Sequence, residues 1–497
     1  MASVPFIFAN QFGPIPLQEL DANFSALSGP SGASYVGFIA SGTNAVQRTV
    51  QDKERDIVSV KDYGATGNGV TDDTAAIQSA VNAADGTVYF PPGIYLCGQV
   101  NISQSVFIYG SRSSEHSGSG GGDGTAGSKI IPNSTTSNIF FINSGGAVTI
   151  KDLWFHGNGQ TAGAAITIED TSPQLGVANL FSAIESCIFD SMFQGINIVA
   201  ATNVNIFQCI FWNIVATGTG MVIDNTFNKD QGGQNITGCT FMGPIGATGI
   251  TWQGGGGTRI IGNTFLLGKG VVANFTNATV NPTAQFTIAH NAFDMNTNDT
   301  SVYAINMFVI SGTVGFSNIQ ITSNLFISYG TQQGFISVVG IAAALITQVN
   351  ITGNNFIDTG GPITTAHVVV NYLQNFSIQG NLIVGNGSST GINVGPNCSI
   401  GSVSWNEIDG VSTPISNSSP SIRVRGMSNT GATASVSDGG SITHNLGSTP
   451  AKVIISGSVA AQTYVPFNIT STTFQVAVRN TAGSSGSAAT IYWQVET

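Results

Sequence analysis

A short pattern, Ile-x-x-(Cys or Asn)-x-Phe, returns ten times between residues 150 and 409 of this chain of 497 residues. Its first copy, Ile150–Phe155, has leucine in the fourth slot, the last copy begins with Val403, and the last two copies end in isoleucine instead of phenylalanine. The final residues of the copies stand at positions 155, 189, 211, 241, 265, 293, 326, 356, 383 and 408. The mean period is therefore about 28 residues, and such a period is typical of solenoids, propellers and repeat arrays.

The residues within each repeat favour one of these architectures. Each copy alternates apolar and polar residues over five or six positions, which is the period of a strand with one buried face. A second alternating run follows in most repeats, as in Ile166–Ile168, Ile196–Ile198, Met221–Ile223, Ile250–Trp252 and Ile392–Val394. Turn-forming residues separate the runs, and no intervening segment has the pattern of an amphipathic helix. The repeats therefore predict an all-β fold, a parallel β-helix with turns about 4.8 Å apart.

The composition excludes several classes of partner. Charged residues make up 8% of the chain and the net charge is −11 with no basic cluster, so we expect no nucleic-acid partner. No apolar run approaches the length of a membrane-spanning helix, so no membrane insertion is expected. The start of the chain lacks the charged and apolar regions of a secretory signal, and we expect synthesis in the cytoplasm, where cysteines stay reduced.

The five cysteines show no metal-ligand spacing, so we expect reduced core thiols, no metal site and no cofactor. Cys187, Cys209 and Cys239 share the fourth slot of the repeat, which later repeats fill with asparagine. The asparagines in this slot are Asn263, Asn291, Asn324, Asn354, Asn381 and Asn406. This shared slot predicts a buried ladder of small side chains along the β-helix.

Both ends of the chain lie outside the repeat. Residues 1–55 contain one short amphipathic helix, over residues 16–27, and are too few to hold a core alone. We expect them to be ordered by self-association or by docking. Residues 426–497 alternate in short strands with Gly- and Ser-rich turns, which predicts a small antiparallel β-sandwich that holds a trimer together or binds sugar.

A predicted helix from Asp73 to Ala84 precedes the repeats, with Thr71 or Asp72 as its N-cap and Ile77 and Val81 facing inward. The open first turn of a β-helix exposes core residues and unpaired strand edges, so it needs a cover. We expect this helix to cap the β-helix, which then occupies residues 56–425.

Three stretches at this end, Val60–Ala65, Gly69–Ile77 and Val88–Tyr95, resemble the start of the pectate-lyase-like right-handed β-helix family, and in particular of its bacteriophage tailspikes. Residues 13–24 resemble the virion-attachment segments of phage tail proteins, and the C-terminal module resembles small β-domains that close phage fibres. The resemblance implies a right-handed β-helix of about ten or more turns. It also implies a homotrimer in the virion, attached to a phage tail or baseplate protein through residues 1–55. It identifies no catalytic residue.

Two carboxylates stand out on the predicted outer surface. Aligning the second strands places five residues in one outward column, which are Glu169, Val199, Asp224, Gln253 and Asn274. Glu169 and Asp224 would then be two turns apart, with backbones separated by roughly 10 Å. Carboxyl groups at that spacing suit inverting glycoside hydrolysis, with Asp170 in support of either role. The alternative is that two acids share the column by chance.

A second outward column begins with His156, Asp190 and Trp212, which follow the phenylalanine slot on successive turns. An acid, an imidazole and an indole side by side would suit a sugar subsite. The simpler interpretation is a turn-forming aspartate beside a solvated histidine. We take these three residues, with Gln253 and Asn274, as candidate substrate-binding residues.

The sequence therefore predicts a phage tailspike that binds a bacterial capsular polysaccharide or lipopolysaccharide O-antigen and depolymerises it by endo-glycosidic hydrolysis at the cell surface. Two alternatives remain open. One is a non-catalytic receptor-binding fibre, and the other is a polysaccharide lyase on the same fold.

Overall fold

The computed structural model describes residues 5–7, 13–111, 127–143, 146–169, 182–199, 201–224, 233–244, 246–254, 256–275, 285–295, 298–312, 317–387, 389–425, 428–444 and 449–496. Three α-helices occur within these residues: α1 (Leu17–Ser28), α2 (Val50–Glu54) and α3 (Thr74–Ala83). Two short 3₁₀ helices cover Gly32–Ser34 and Val60–Tyr63. Almost all other regular structure is β-strand.

Three sheets of stacked parallel strands form the body of the molecule, and each turn of the chain passes through sheet 1, sheet 2 and sheet 3 in that order. Sheet 1 contains Val58–Ser59, Thr87–Phe90, Val106–Gly110, Val148–Lys151, Ala183–Glu185, Asn205–Phe207, Asn235–Thr237, Thr258–Ile261, Phe286–Ala289, Ser317–Thr322, Ile346–Thr352, Leu373–Gln379, Ser399–Ser404 and Ile422–Arg425. Sheet 2 contains Asn68–Asp72, Gly93–Cys97, Ser128–Pro132, Trp154–His156, Ile188–Asp190, Ile210–Trp212, Thr240–Met242, Thr264–Leu266, Ala292–Met295, Leu325–Ser328, Asn355–Asp358, Leu382–Val384, Glu407–Asp409 and Ser428–Val436. Sheet 3 contains Val100–Ile102, Phe140–Ile142, Ile166–Glu169, Gln194–Val199, Thr219–Asp224, Thr248–Trp252, Lys269–Phe275, Tyr303–Val309, Gly334–Val339, Ala366–Asn371, Thr390–Val394 and Thr413–Asn417. The predicted right-handed parallel β-helix is confirmed.

The repeat pattern spans two strands and a turn, whereas the sequence suggested a single strand. In the second copy, Ile184 belongs to sheet 1 and Phe189 to sheet 2. Ser186, between them, has a φ of 54°, and this left-handed backbone turns the chain from one sheet into the next. The single-strand interpretation was wrong. A single residue makes the turn, so the alternation of apolar and polar side chains continues from one strand into the next.

A column of phenylalanine rings fills the core beneath sheet 2. Adjacent rings from Phe189 to Phe356 are stacked with centroids 4.5–4.8 Å apart, which is the rung spacing of the β-helix. The stack needs room on sheet 3: a Cβ added at Gly249 would lie 2.8 Å from the Phe265 ring, and one at Gly220 equally close to the Phe241 ring. Glycine at this position in several repeats, as at Gly195, Gly220, Gly249 and Gly270, therefore accommodates the aromatic core.

The predicted ladder of small side chains is confirmed at the turn between sheets 1 and 2. Asn324 Nδ2 donates to the backbone oxygen of Ile288 at 2.9 Å and to Asn354 Oδ1 at 2.9 Å. Its own Oδ1 accepts from the backbone N–H and from Nδ2 of Asn291, both at 3.0 Å. The other asparagines repeat this arrangement, and the buried thiols of Cys187, Cys209 and Cys239 continue the column. The ladder thus satisfies the polar groups that the turn buries.

Helix α3 covers the first turn, as predicted, and buries Ile77, Ala80 and Val81. It begins one residue later than expected, at Thr74, and its N-cap is Asp73, so neither Thr71 nor Asp72 takes this position. The Asp73 carboxylate accepts hydrogen bonds from the backbone N–H of Thr66 and of Gly67 and so holds the preceding loop against the helix, while Asp72 Oδ1 accepts the backbone N–H of Thr74 at 2.9 Å.

The C-terminal module is antiparallel, as predicted. Ser428–Val436 continues sheet 2 and pairs in antiparallel fashion with Ala489–Glu496, which in turn pairs with Lys452–Gly457. A second sheet combines Gly440–Thr443, Thr473–Asn480 and Gln462–Phe467. Buried side chains from both sheets, including Phe474 and Ile491, form the core of this sandwich.

At the N-terminus, α1 confirms the predicted amphipathic helix. Asn23 holds the preceding segment through two hydrogen bonds of 2.9 Å with the backbone of Phe6. The apolar side chains of the helix face solvent in the single chain, and Leu17 and Phe24 are 76% and 62% exposed. Ordering of residues 1–55 by self-association or docking stays a prediction.

Stability should fall in acid because of a histidine buried in sheet 3. Burial lowers the pKa of His367 to about 4, although a hydrogen bond to the Thr390 carbonyl opposes the shift. An unfolded histidine titrates near 6.5, so the unfolded chain takes up this proton first and stability decreases as the pH falls from about 6.5 to 4, by about 3 kcal/mol. The denaturation midpoint in urea should decrease less between pH 7 and pH 4.5 in His367→Gln than in the parent chain. His290→Gln, at an exposed histidine, is the control, and equal pH slopes for all three proteins would contradict the assignment.

Candidate functional site

The structure places Glu169 and Asp224 in one outward column at the ends of their strands in sheet 3. Glu169 pairs with Val199, and Val199 pairs with Asp224, so the two acids stand two rungs apart. The two side chains are partly exposed, and each follows an inward isoleucine that is fully buried. Their backbones are therefore separated by roughly 10 Å, and both carboxylates project from the same face.

The other residues of this column continue the same edge of sheet 3. Gln253 follows Trp252, which pairs with Ile223, so Gln253 stands one rung beyond Asp224. Asn274 pairs with Phe308 in the strand Lys269–Phe275, but its side chain lies outside the described residues. Asp170 also lies outside them. The strand pairing thus confirms that these residues share one column. The catalytic and substrate-binding roles of the column stay predictions.

The second column lies on sheet 2, and its first two members are in contact. His156 Nδ1 is 2.8 Å from Asp190 Oδ2, and the Asp190 side chain is 13% exposed against 33% for His156. Asp190 Oδ1 accepts a hydrogen bond of 2.8 Å from Ser191 Oγ, which itself accepts one of 3.1 Å from Asn213 Nδ2. An aspartate in this position orients the imidazole and leaves Nε2 to accept a proton from outside. The predicted proximity of His156 and Asp190 is thus confirmed, while a role in sugar binding stays a prediction.

A lysine and a tryptophan complete this group, which we call the histidine cluster: Lys129, Trp154, His156, Asp190 and Ser191. Trp154 pairs with Lys129 across the strands, and Lys129 Nζ lies 4.4 Å above the centre of the Trp154 ring. The Trp154 and His156 rings are nearly perpendicular, with centroids 6.2 Å apart. Burial lowers the pKa of Lys129, and the negative charge of Asp190 opposes this shift. The cluster combines a base, a partly desolvated cation and an aromatic face.

Trp212 stands beside Asp190 on the next rung and is partly exposed. The carboxylates of sheet 3 and the histidine cluster of sheet 2 do not form one site. Ile168 of sheet 3 and Phe155 of sheet 2 are both buried in the same core. Because the two sheets face this core from different sides, their outward faces point in different directions. The candidates therefore divide into two possible centres of chemistry.

Sequence reasoning did not find Lys129, Trp154, Ser191 and Asn213. Lys129 precedes the first recognised repeat, but its strand, Ser128–Pro132, has the same alternation of outward and buried residues, which could have shown the position. Nothing in the sequence indicates the contact between Ser191 and Asn213. These residues occupy equivalent turns on adjacent rungs, and each has a positive φ.

Within the described ranges, no group of three or more His, Cys, Asp or Glu side chains is placed to hold a metal ion. Among the same residues, no helix is long and apolar enough to cross a membrane.

Residues 57–306 match the family described as rhamnogalacturonase A/epimerase, pectate lyase-like. This chain belongs to that family. The match begins just before the cap, includes both candidate centres, and covers half of the chain. The pectate-lyase-like resemblance predicted from the sequence is confirmed.

Curated relatives match shorter segments. The chain is 45% identical over 69 residues to mannuronan C5-epimerase AlgE5 of Azotobacter vinelandii, which is 12% of this chain and 7% of that protein. It is 38% identical over 96 residues to a capsule-specific depolymerase of Klebsiella phage K5-2, which is 19% of this chain and 11% of the relative. The chain thus spans about a tenth of the length of these relatives.

Two solved tailspikes share the fold. Tailspike protein 3 of bacteriophage CBA120 has 14% identity and a TM-score of 0.55, over 82% of this chain and 67% of that one. A tailspike of Escherichia coli bacteriophage HK620, solved with a pentasaccharide, has 12% identity and a TM-score of 0.50, over 95% and 99% of the two chains. At these identities the likeness describes the fold alone, which is a parallel β-helix.

Proposed function

We propose that this protein is the tailspike of a bacteriophage and that it depolymerises a bacterial surface polysaccharide, a capsule or an O-antigen, by endo-glycosidic hydrolysis. The strand register that sets Glu169 and Asp224 in one outward column, two rungs apart, carries the proposal. Similarity to a phage capsule depolymerase and to phage tailspikes supports the class of substrate.

The chemistry requires two carboxyl groups on opposite sides of a glycosidic bond. Backbones two rungs apart allow the side chains to approach within about 6.5–9.5 Å, the separation that leaves room for a water molecule. One carboxylic acid donates its proton to the leaving glycosidic oxygen as the bond to the anomeric carbon breaks. The other carboxylate removes a proton from water, whose oxygen forms the new bond to that carbon, so hydrolysis proceeds with inversion.

The rest of the chain is assigned by the same proposal. Residues 1–55 attach the protein to a phage tail or baseplate protein, and the exposed apolar face of α1 suits this docking. The C-terminal sandwich helps to hold a homotrimer. The protein is made in the host cytoplasm, is carried on the virion and acts at the bacterial cell surface.

The histidine cluster supports a second candidate, a polysaccharide lyase. His156, oriented by Asp190, would remove the proton next to a uronate carboxylate, while Lys129 would pair with that carboxylate. The bond to the leaving sugar oxygen then breaks, a carbon–carbon double bond forms in the product, and the oxygen takes up a proton.

The products distinguish the two reactions. The full chain is incubated with capsules and lipopolysaccharides from a panel of bacterial strains that includes the host, and new reducing ends and ultraviolet absorbance are measured together. We expect reducing ends without the absorbance of an unsaturated sugar, and His156→Ala should retain this activity.

Unsaturated products that disappear in His156→Ala would overturn hydrolysis and establish the lyase. Binding without cleavage of the host polysaccharide would overturn both and leave a non-catalytic receptor-binding fibre.

A further inference from the structure

A cavity of about 640 Å³ opens on the outward face of sheet 1 near the C-terminal end of the β-helix. It lies on a different sheet from both the carboxylate column and the histidine cluster. Four of its lining residues, Asn350, Ser377, Ser402 and Arg423, form one outward column, because each pairs with the next across adjacent strands. Polar groups therefore recur along the cavity at steps of about 4.8 Å.

The cavity lies where sheet 1 bends. Gln348, Asn375 and Ile400 stand at equivalent positions on successive rungs and have φ values of 56°, 57° and 50°. Such residues interrupt the strand pairing and change the direction of each strand, so a stack of them bends the whole sheet. Asn375 and Ile400 line the cavity that results.

Ile400 is unusual in two respects. A β-branched residue rarely adopts the left-handed conformation, and the Ile400 side chain is 60% exposed at the cavity wall. Strained residues of this kind are concentrated at binding sites. An exposed apolar side chain beside amides and hydroxyls matches a sugar ring, which has apolar C–H faces and a rim of hydroxyl groups.

Arg423 gives the cavity its charge. Among the residues that the structure describes, its exposed guanidinium makes no ion pair, although the whole chain carries a net charge of −11. A guanidinium presents a planar pair of donors that fits a carboxylate in two hydrogen bonds. A positive group in a concave site of an acidic protein favours an anionic ligand at that point.

We propose that this cavity binds a carboxylate-bearing sugar residue of an acidic polysaccharide, at a site separate from the centre of cleavage. Arg423 pairs with the carboxylate, Asn350, Ser377 and Ser402 contact hydroxyl groups, and Ile400 packs against the ring. This assignment rests on the proposal that the protein handles a bacterial surface polysaccharide, and it names uronate-containing polysaccharides as the substrate class.

The test is calorimetric titration of the full chain with oligogalacturonate and with the same oligosaccharide reduced to neutral sugars at its carboxyl groups. We expect binding of the acidic form and at least about tenfold weaker binding of the reduced form. Arg423→Gln should weaken binding of the acidic form by a similar factor and leave the neutral form unaffected. Arg423→Lys, which keeps the charge but loses the paired donors, should lie between them.

Arg425→Gln is the matched control. Arg425 lies two residues further along the same strand and projects from the same face, but it does not line the cavity. The same change of charge there should leave the affinity within about twofold. Ser377→Asp tests the cavity without removing Arg423, and its added negative charge should also weaken binding of the acidic form.

Equal affinity for the acidic and reduced oligosaccharides, no binding of either, or equal effects of the two arginine substitutions would overturn the site. If Arg423→Gln instead changes the oligomeric state, a second copy of the chain occupies this surface and the site is also overturned. The outcome is separable from the proposed hydrolysis: binding that depends on Arg423 without cleavage keeps the site and rejects the hydrolase. Cleavage that proceeds although Arg423→Gln leaves binding unchanged keeps the hydrolase and rejects the site.

Discussion

Replacement of Glu169 by glutamine should lower the rate of polysaccharide cleavage by about 10²–10⁴-fold, the usual contribution of a general acid or base. Glutamine keeps the size of glutamate, but its amide neither gives up nor takes up the proton that the reaction transfers. Asp224→Asn should have an effect of the same order, and the double variant should be little slower than either single one, because the two groups act in one step. The initial rate of formation of reducing ends measures this, with binding of uncleaved polysaccharide measured in parallel.

Glu185→Gln is the control for this change. Glu185 makes a surface ion pair of 3.5 Å with Lys151 on sheet 1, away from the carboxylate column, so its replacement should leave cleavage unchanged. Full activity in both Glu169→Gln and Asp224→Asn would reject this pair of residues and direct attention to the histidine cluster.

Replacement of Asn324 by alanine should destabilise the β-helix by at least about 3 kcal/mol. The substitution removes the acceptor of the Asn291 backbone N–H and the donor to the Ile288 carbonyl, in a position where the side chain is almost completely buried. Water cannot replace these partners without opening the core. The shift of the denaturation midpoint in urea, and the unfolding rate at a fixed concentration, measure the effect.

Asn306→Ala provides the comparison at an outward-facing asparagine of sheet 3. Its side chain is half-buried on the solvent side of the strand, so the change should cost less than about 0.5 kcal/mol. A similar midpoint for the two variants would show that the ladder does not contribute to stability in the way its hydrogen bonds indicate.

The tertiary structure alone decided how the candidate groups meet. His156 and Asp190 were assigned to adjacent rungs from the repeat, but their contact, the position of Lys129 over Trp154 and the bonds of Ser191 depend on rotamers and on turns made by single residues. The bend that forms the sheet 1 cavity arises from stacked left-handed residues, among which Gln348 and Ile400 are types that seldom adopt that conformation. No hydrophobic pattern records such backbone angles.

The sequence by itself determined the fold, the stacked columns of the core and the register of both outward columns. The reason is that a β-helix pairs each strand with the equivalent strand one repeat away, so a periodic sequence directly specifies which residues are neighbours. Side-chain alternation then assigns each residue to the core or to the surface. Which surface residues approach one another within hydrogen-bonding distance was decided by the turns and by packing between rungs, because these depend on local conformation and not on the period.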